Sequence, residues 1–253
     1  MLNFHKKHFS QFSKLIMTKS KSTYFQLSQT IFYSLLIAFP LVFTYEIIGT
    51  IVNWQSYFEI RNSADFLIRD FFQFFGEYAH FAYGITLFII ISSIAFVNRK
   101  SLSEGKVRID YLFLMIFEGI FWGIILFIFL SKSLILLLSS PTGTVLIEHI
   151  YLSIGAGIYE ELIFRLLIFS GLITILTKVL RLPRTFSIIT SLFISSIVFS
   201  LFHYLGSNAD SFELYSFLSR ALGGVFLGLV YYFRGLGITI YAHIFYDLIV
   251  VIL

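Results

Sequence analysis

Seven stretches of roughly 20 predominantly apolar residues dominate this chain, each about the length a helix needs to cross a bilayer. They fall at roughly 27–52, 78–97, 110–130, 150–177, 186–205, 214–233 and 236–253. The connections are short, with no internal repeat or low-complexity linker, and they leave no room for a separate soluble domain. Composition agrees: 58% of residues are hydrophobic and only 13% charged, where a soluble domain carries about 25%. A water-soluble globule needs a charged surface that these residues cannot supply. The expectation is an all-α, polytopic transmembrane helix bundle of about seven spans. It divides into a basic N-terminal segment over 1–22, N-terminal transmembrane helices over 23–149, and a transmembrane core rich in polar residues over 150–253. Pro40 should kink the first span, and Pro141-Thr142-Gly143 should break the chain ahead of the fourth.

The chain has no cysteine, which excludes disulfides, thiolate nucleophiles and Cys-ligated metals. The formal charge of +4 is spread over loops. It is not gathered on one polar face as in a nucleic-acid binder, so no nucleic-acid partner is expected. Residues 1–22 hold Lys6, Lys7, Lys14, Lys19 and Lys21 but lack the apolar core of a cleavable signal peptide. Phe4, Phe9, Phe12 and Ile16 recur among those lysines, so the segment reads either as a helix lying on anionic lipid or as a frayed basic tail.

Loop charges set the expected orientation. On the N-terminal side lie those lysines, then Arg99, Lys100, Lys106 and Arg108, then Lys178, Arg181 and Arg184, and last Arg234; the other side holds Arg61, Arg69 and Lys132. Positive residues favour the cytoplasmic side. The N-terminus should therefore be cytoplasmic and the C-terminus outside, in a multi-pass protein of the cell (plasma) membrane.

A charge at the centre of a spanning helix costs about 2.5–3.5 kcal/mol on insertion scales, so residues of this kind mark candidate sites. The second half of the chain is dense with them. The fourth span carries Glu160, Glu161 and Arg165. Glu161 and Arg165, four apart, share a helix face in the favourable order, whereas Glu160 is turned about 100° away on an α-helix. Gly155-Ala156-Gly157, just before them, would let another helix or a substrate come close. The fifth span ends in Phe199-Ser200-Leu201-Phe202-His203, and the seventh holds His243 and Asp247 four apart on one face. Each feature alone fits a packed or self-satisfied polar group. Two glutamates, two histidines and an aspartate in one bundle suggest hydrolytic chemistry.

The order EExxxR (Glu160, Glu161, Arg165), FxxxH (Phe199, His203) and Hxxx(N/D) (His243, Asp247), on successive membrane helices, resembles the CPBP family. These are the CAAX-protease and bacteriocin-processing (Abi) intramembrane endopeptidases, and the resemblance covers roughly residues 150–250. It implies hydrolysis of a peptide bond in a membrane-associated or lipidated protein or peptide. Glu160 would be the general base that activates water, and His203 would help to hold that water. His243 and Asp247 would stabilise the tetrahedral oxyanion, with Glu161 and Arg165 as supporting residues. The family usually has Asn where this chain has Asp247, and an ionised Asp cannot donate to an oxyanion. Asp247 is therefore expected to orient or charge His243, which would be the donor, or else to be protonated itself.

Other intramembrane protease chemistries lack their residues. No HExxH, no second aspartate within a span to partner Asp247, and no Gly-x-Ser-Gly turn occur. No cofactor is expected, although Glu160, His203 and His243 are residue types that could ligate zinc. Two readings from other classes use the same cluster: a non-catalytic membrane scaffold or regulator that binds peptides or partners, and a proton-coupled transporter. Arg220 could reach Glu161 or Glu160, and is expected to serve the bundle's charge balance rather than the chemistry. Glu46, Glu118, Glu148 and His149 read as isolated, and Phe71-Phe72-Gln73-Phe74-Phe75 as an interfacial aromatic belt.

One mismatch stands in this reading. Glu160 lies about 18 residues from Lys178, roughly 27 Å along a helix, whereas His243 lies about nine from Arg234, roughly 14 Å. Either the turn Arg234-Gly235-Leu236-Gly237 is embedded, or the fourth and fifth helices protrude.

Overall fold

The structure, a computed structural model, describes residues 23–53, 60–78, 107–134, 146–205 and 209–252, with isolated positions between 83 and 98. The basic segment 1–22, most of the second predicted span and the Pro141-Thr142-Gly143 break lie outside the described residues. Among the described residues every regular element is helical: α1 (Tyr24–Ser28), α2 (Ile31–Val52), α3 (Ser63–Phe72), α4 (Ile109–Leu134), α5 (Leu146–Val179), α6 (Arg184–Phe202), α7 (Leu214–Arg234) and α8 (Leu236–Ile252). Five of these, α2, α4, α5, α6 and α7, are long and apolar enough to cross a membrane, and α8 is a shorter apolar helix. The chain is a polytopic helical bundle.

Helix ends follow local chemistry. The Thr30 hydroxyl accepts from the Tyr33 amide to start α2, which then runs on through Pro40. Pro183 precedes α6, where a missing amide hydrogen leaves no helix bond unmade. Apolar side chains such as Phe39, Phe43, Phe117 and Phe193 stay exposed on the outside of the bundle, as a hydrocarbon surround requires.

The shortest apolar helix takes the centre. Every residue from Leu236 to Ile244 in α8 is buried, and the helix packs against α2, α4, α5 and α7. A helix that is apolar all round must be enclosed by others or by lipid. The turn leading into it is enclosed too. Gly235 has φ 86°, a conformation costly for a residue with a Cβ, and a Cβ there would lie 3.0 Å from the Cα of Gln29. The Gly237 amide donates to the Ser34 hydroxyl at 2.9 Å. Arg234 is itself buried. The turn between α7 and α8 is thus tucked inside the protein, the first of the two arrangements that the mismatch in the sequence allows.

Polar side chains gather at the two opposite ends. At the end bearing α1, Glu118 of α4 accepts from Arg234 Nη2 at 2.9 Å, Tyr24 at 2.5 Å and Trp122 at 3.3 Å, and Arg234 also donates to Ser28. Glu118, which reads as isolated in sequence, is the centre of a network, because Arg234 is distant in the chain and near only in the fold. The Arg108 amide donates to Tyr33 at this end, placing the start of α4 beside the start of α2.

At the other end, beyond α2, lies α3, a helix that hydropathy does not single out. Ala64 and Asp65 are buried, while Phe66, Leu67 and Phe71 are exposed. Asp65 accepts from Arg61 at 3.0 Å, Arg69 at 2.8 Å and Tyr45 at 3.0 Å. Glu46 pairs with Arg69 and lies 3.8 Å from Arg61. Glu46 is therefore not isolated either. It helps clamp α3 onto α2.

Candidate active site

The middle of α5 departs from the α-helical geometry assumed from sequence. Residues Ala156–Phe169 form a π-helix, in which hydrogen bonds close a wider turn, a rare arrangement that is frequent at functional sites. Gly155 and Gly157 flank its start. A Cβ on Gly155 would lie 2.5 Å from the Tyr45 ring and 2.9 Å from the Asn62 Cβ, and one on Gly157 would lie 2.9 Å from the Ile240 carbonyl oxygen. The small residues thus bring α5 against both the loop before α3 and the central helix α8.

Glu160 and Glu161 are both buried, at 4% and 0% relative exposure. Glu161 Oε2 lies 3.2 Å from Arg165 Nε. The guanidinium donates to the Gly224 carbonyl at 3.3 Å and stacks 4.5 Å from the Phe199 ring centroid. Glu161 Oε1 also lies 2.7 Å from His243 Nδ1. A carboxylate accepts, so Nδ1 is the donor and the Nε2 edge of His243 faces away from Glu161. That edge is 3.9 Å from Glu160 Oε2 and 3.6 Å from Asp247 Oδ2. The short contact that orients His243 therefore comes from Glu161, and Asp247 stands on the imidazole's opposite edge.

His203 caps the C-terminal end of α6. Its Nδ1 is 3.0 Å from the Phe199 carbonyl oxygen, which can only accept, so the hydrogen-bond network assigns the proton to Nδ1. Nε2 then faces Glu160 Oε2 at 4.0 Å. Both histidine contacts to Glu160 are too long for direct hydrogen bonds and short enough for one water to serve both groups. A cavity of about 350 Å³ opens beside them, lined by Glu160, His203, Asp247, His149, Asn62 and Asp210 among others.

All six residues singled out in sequence, Glu160, Glu161, Arg165, His203, His243 and Asp247, thus meet in one cluster at the α3 end of the bundle. Arg220 does not join them. It pairs with Asp210 at 2.5 Å and lies over the Tyr204 ring, because its turn of α7 faces the loop after α6. Among the described residues no group of three or more His, Asp or Glu is arranged to hold a metal ion.

Sequence reasoning missed Asn62. Its Nδ2 donates to Glu160 Oε1 at 3.0 Å, so Glu160 is not the partnerless carboxylate that its position on α5 implies. No periodicity announces this contact, since Asn62 lies in a loop outside the apolar spans. The one available signal is its place as a capping residue before Ser63-Ala64-Asp65.

Residues 141–249 match the family model described as type II CAAX prenyl endopeptidase Rce1-like, which is the CPBP (Abi) family. The match takes in α5 through most of α8. Searches of curated proteins and of solved structures return no match.

Proposed function

We propose, from the premise that this membrane chain carries an Rce1-like CPBP endopeptidase domain, that it cleaves a peptide bond of a membrane-associated substrate with water activated by Glu160. The observation that carries this reading is that His203 Nε2 and His243 Nε2 each lie within 4.0 Å of Glu160 Oε2, beside a cavity that Glu160 and His203 line. A water in that gap would be polarised by a carboxylate and held by an imidazole lone pair. Glu160 takes a proton from the water as its oxygen bonds to the scissile carbonyl carbon. The carbonyl oxygen becomes an oxyanion, and the C–N bond then breaks as Glu160 returns the proton to the leaving amine. General-base catalysis of this kind contributes about 10²–10⁴-fold.

His243, with its Nδ1 side anchored on Glu161, turns Nε2 towards Glu160 and Asp247 and, when that nitrogen also carries a proton, is the donor for the oxyanion. Such a donor is worth about 10²–10³-fold. Asp247 holds the charge of that imidazole from 3.6 Å. Glu161 and Arg165 form the rigid base of the site.

The excess of Lys and Arg on the N-terminal side supports a cytoplasmic N-terminus in the plasma membrane. The cavity lies at the opposite end, beside Asn62, His203 and the C-terminal part of α8. Substrate and water accordingly reach the site from the extracytoplasmic half of the bilayer. The substrate is a membrane-associated or lipidated protein or peptide.

The test compares cells carrying the wild-type chain with cells carrying Glu160→Gln at matched abundance, by mass spectrometry of new peptide ends. Ends that vanish with the variant establish proteolysis, and their positions identify substrate and side of access. Identical peptide ends, with normal biological function of the variant, would replace this reading with that of a non-catalytic scaffold.

A further inference from the structure

We infer that Asn62, which lies outside the family-matched segment, is a positioning residue for Glu160, so that the hydrolytic site is completed by the loop leading into α3. The inference rests on the proteolytic reading above and adds a residue to it.

The argument starts from the orientation of the Asn62 amide. An asparagine side chain offers one accepting and one donating end, and only its partners decide which end points where. Here Oδ1 accepts from the Ala64 amide at 2.9 Å, capping α3. A backbone N–H can only donate, so that contact assigns the oxygen. The other end, Nδ2, must then face Glu160 Oε1, 3.0 Å away. The Asn62 backbone N–H in turn donates to the Tyr45 hydroxyl, 3.4 Å away.

The loop is held in place independently of Glu160. Tyr45 donates to buried Asp65, and Asp65 is bound by Arg61 and Arg69. Gly155 leaves the space that lets Asn62 approach α5 at all. One oxygen of Glu160 is thereby committed to Asn62. The other, Oε2, is left facing His203 and His243. A carboxylate free to rotate would present either oxygen at variable angles; one pinned at Oε1 presents a single lone-pair direction to the water. Holding a reacting group in one geometry is a substantial part of catalysis.

Capping and positioning are separable by substitution, because Ser and Asp are as good as Asn at a helix N-cap. Asn62→Ser keeps an acceptor for α3 but is too short to reach Glu160. Asn62→Asp keeps the cap and sets a carboxylate against Glu160. The experiment measures the abundance of Glu160-dependent peptide ends in cells carrying wild type, Asn62→Ser, Asn62→Asp or Glu160→Gln at matched protein level. It also measures thermal unfolding of each detergent-purified protein and of the Asn62→Asp/Glu160→Gln double variant.

The expected result is a fall of roughly tenfold or more in those ends for both Asn62 variants, the scale of one hydrogen bond to a charged group, with Asn62→Ser unfolding near the wild-type temperature. Asn62→Asp should unfold at a lower temperature, and the double variant should recover, since a Gln amide can donate to the new carboxylate. Wild-type levels of ends in both Asn62 variants would overturn the positioning role while leaving the proteolytic reading intact. An equal effect of Asn62→Asp on unfolding with and without Glu160→Gln would overturn the contact itself. Peptide ends that do not depend on Glu160 would overturn the proteolytic reading and, with it, the role of Asn62.

Discussion

Glu161 Oε1 and His243 Nδ1 lie 2.7 Å apart although the two residues are 82 positions apart in the chain. The contact joins the π-helical stretch of α5 to the buried centre of α8. It gives Glu161 two partners, Arg165 on its own helix and His243 on another. Glu161 is more than the neutralised companion of Arg165 that its spacing suggests.

Glu161→Gln should therefore affect stability and activity together. The substitution leaves the Arg165 guanidinium, 1% exposed, without its carboxylate, and breaking a buried ion pair from one side costs about 3–5 kcal/mol. Denaturation of the detergent-purified variant should show a loss of that order, and the peptide ends should fall as His243 loses its anchor. A variant as stable as wild type would mean that Arg165 finds another partner.

The two polar site residues of α8 should respond differently. Asp247→Asn keeps a hydrogen-bonding group of the same shape and should retain cleavage within about tenfold, whereas His243→Ala removes the oxyanion donor and should cost at least about 100-fold. Peptide-end abundance at matched protein level distinguishes them. Equal and complete loss in both variants would contradict the assignment of the donor to His243.

Helix approach at the site depends on missing side chains. Gly157→Ala would push a methyl against Ile244 and the Ile240 carbonyl, and Gly155→Ala would push one against Tyr45 and Asn62. Overpacking of this kind costs about 1–3 kcal/mol. Gly171→Ala, further along α5, meets nothing within 4 Å and should be neutral or slightly stabilising by about 0.5–1 kcal/mol. Unfolding temperatures of the three variants provide the comparison.

The network at the α1 end should prove separate from the chemistry. Glu118→Ala removes the partner of Arg234, whose side chain is 8% exposed, at a cost of about 3 kcal/mol. Cleavage per folded molecule should stay unchanged, because this network lies at the opposite end of the bundle from the cavity. A loss of activity without loss of folded protein would show that the two ends are coupled.

The amino-acid order by itself determined the membrane class, the lengths and places of α2, α4, α5, α6, α7 and α8, and the residue types that carry the candidate chemistry. These are local properties: apolar length is summed along one stretch, and a charge within such a stretch stands out wherever the helix is later packed. The tertiary structure alone decided how those groups are paired. It put Glu161 on His243, gave Glu160 the Asn62 amide, sent Arg220 to Asp210, joined Glu118 to Arg234 and sank the Gly235 turn inside the bundle. The physical reason is that a hydrogen bond between helices depends on depth, rotation and closeness of approach. Those are set by interhelical packing at residues such as Gly155 and Gly157 and by the widened turn of α5, and none of them is written into the periodicity of a single helix.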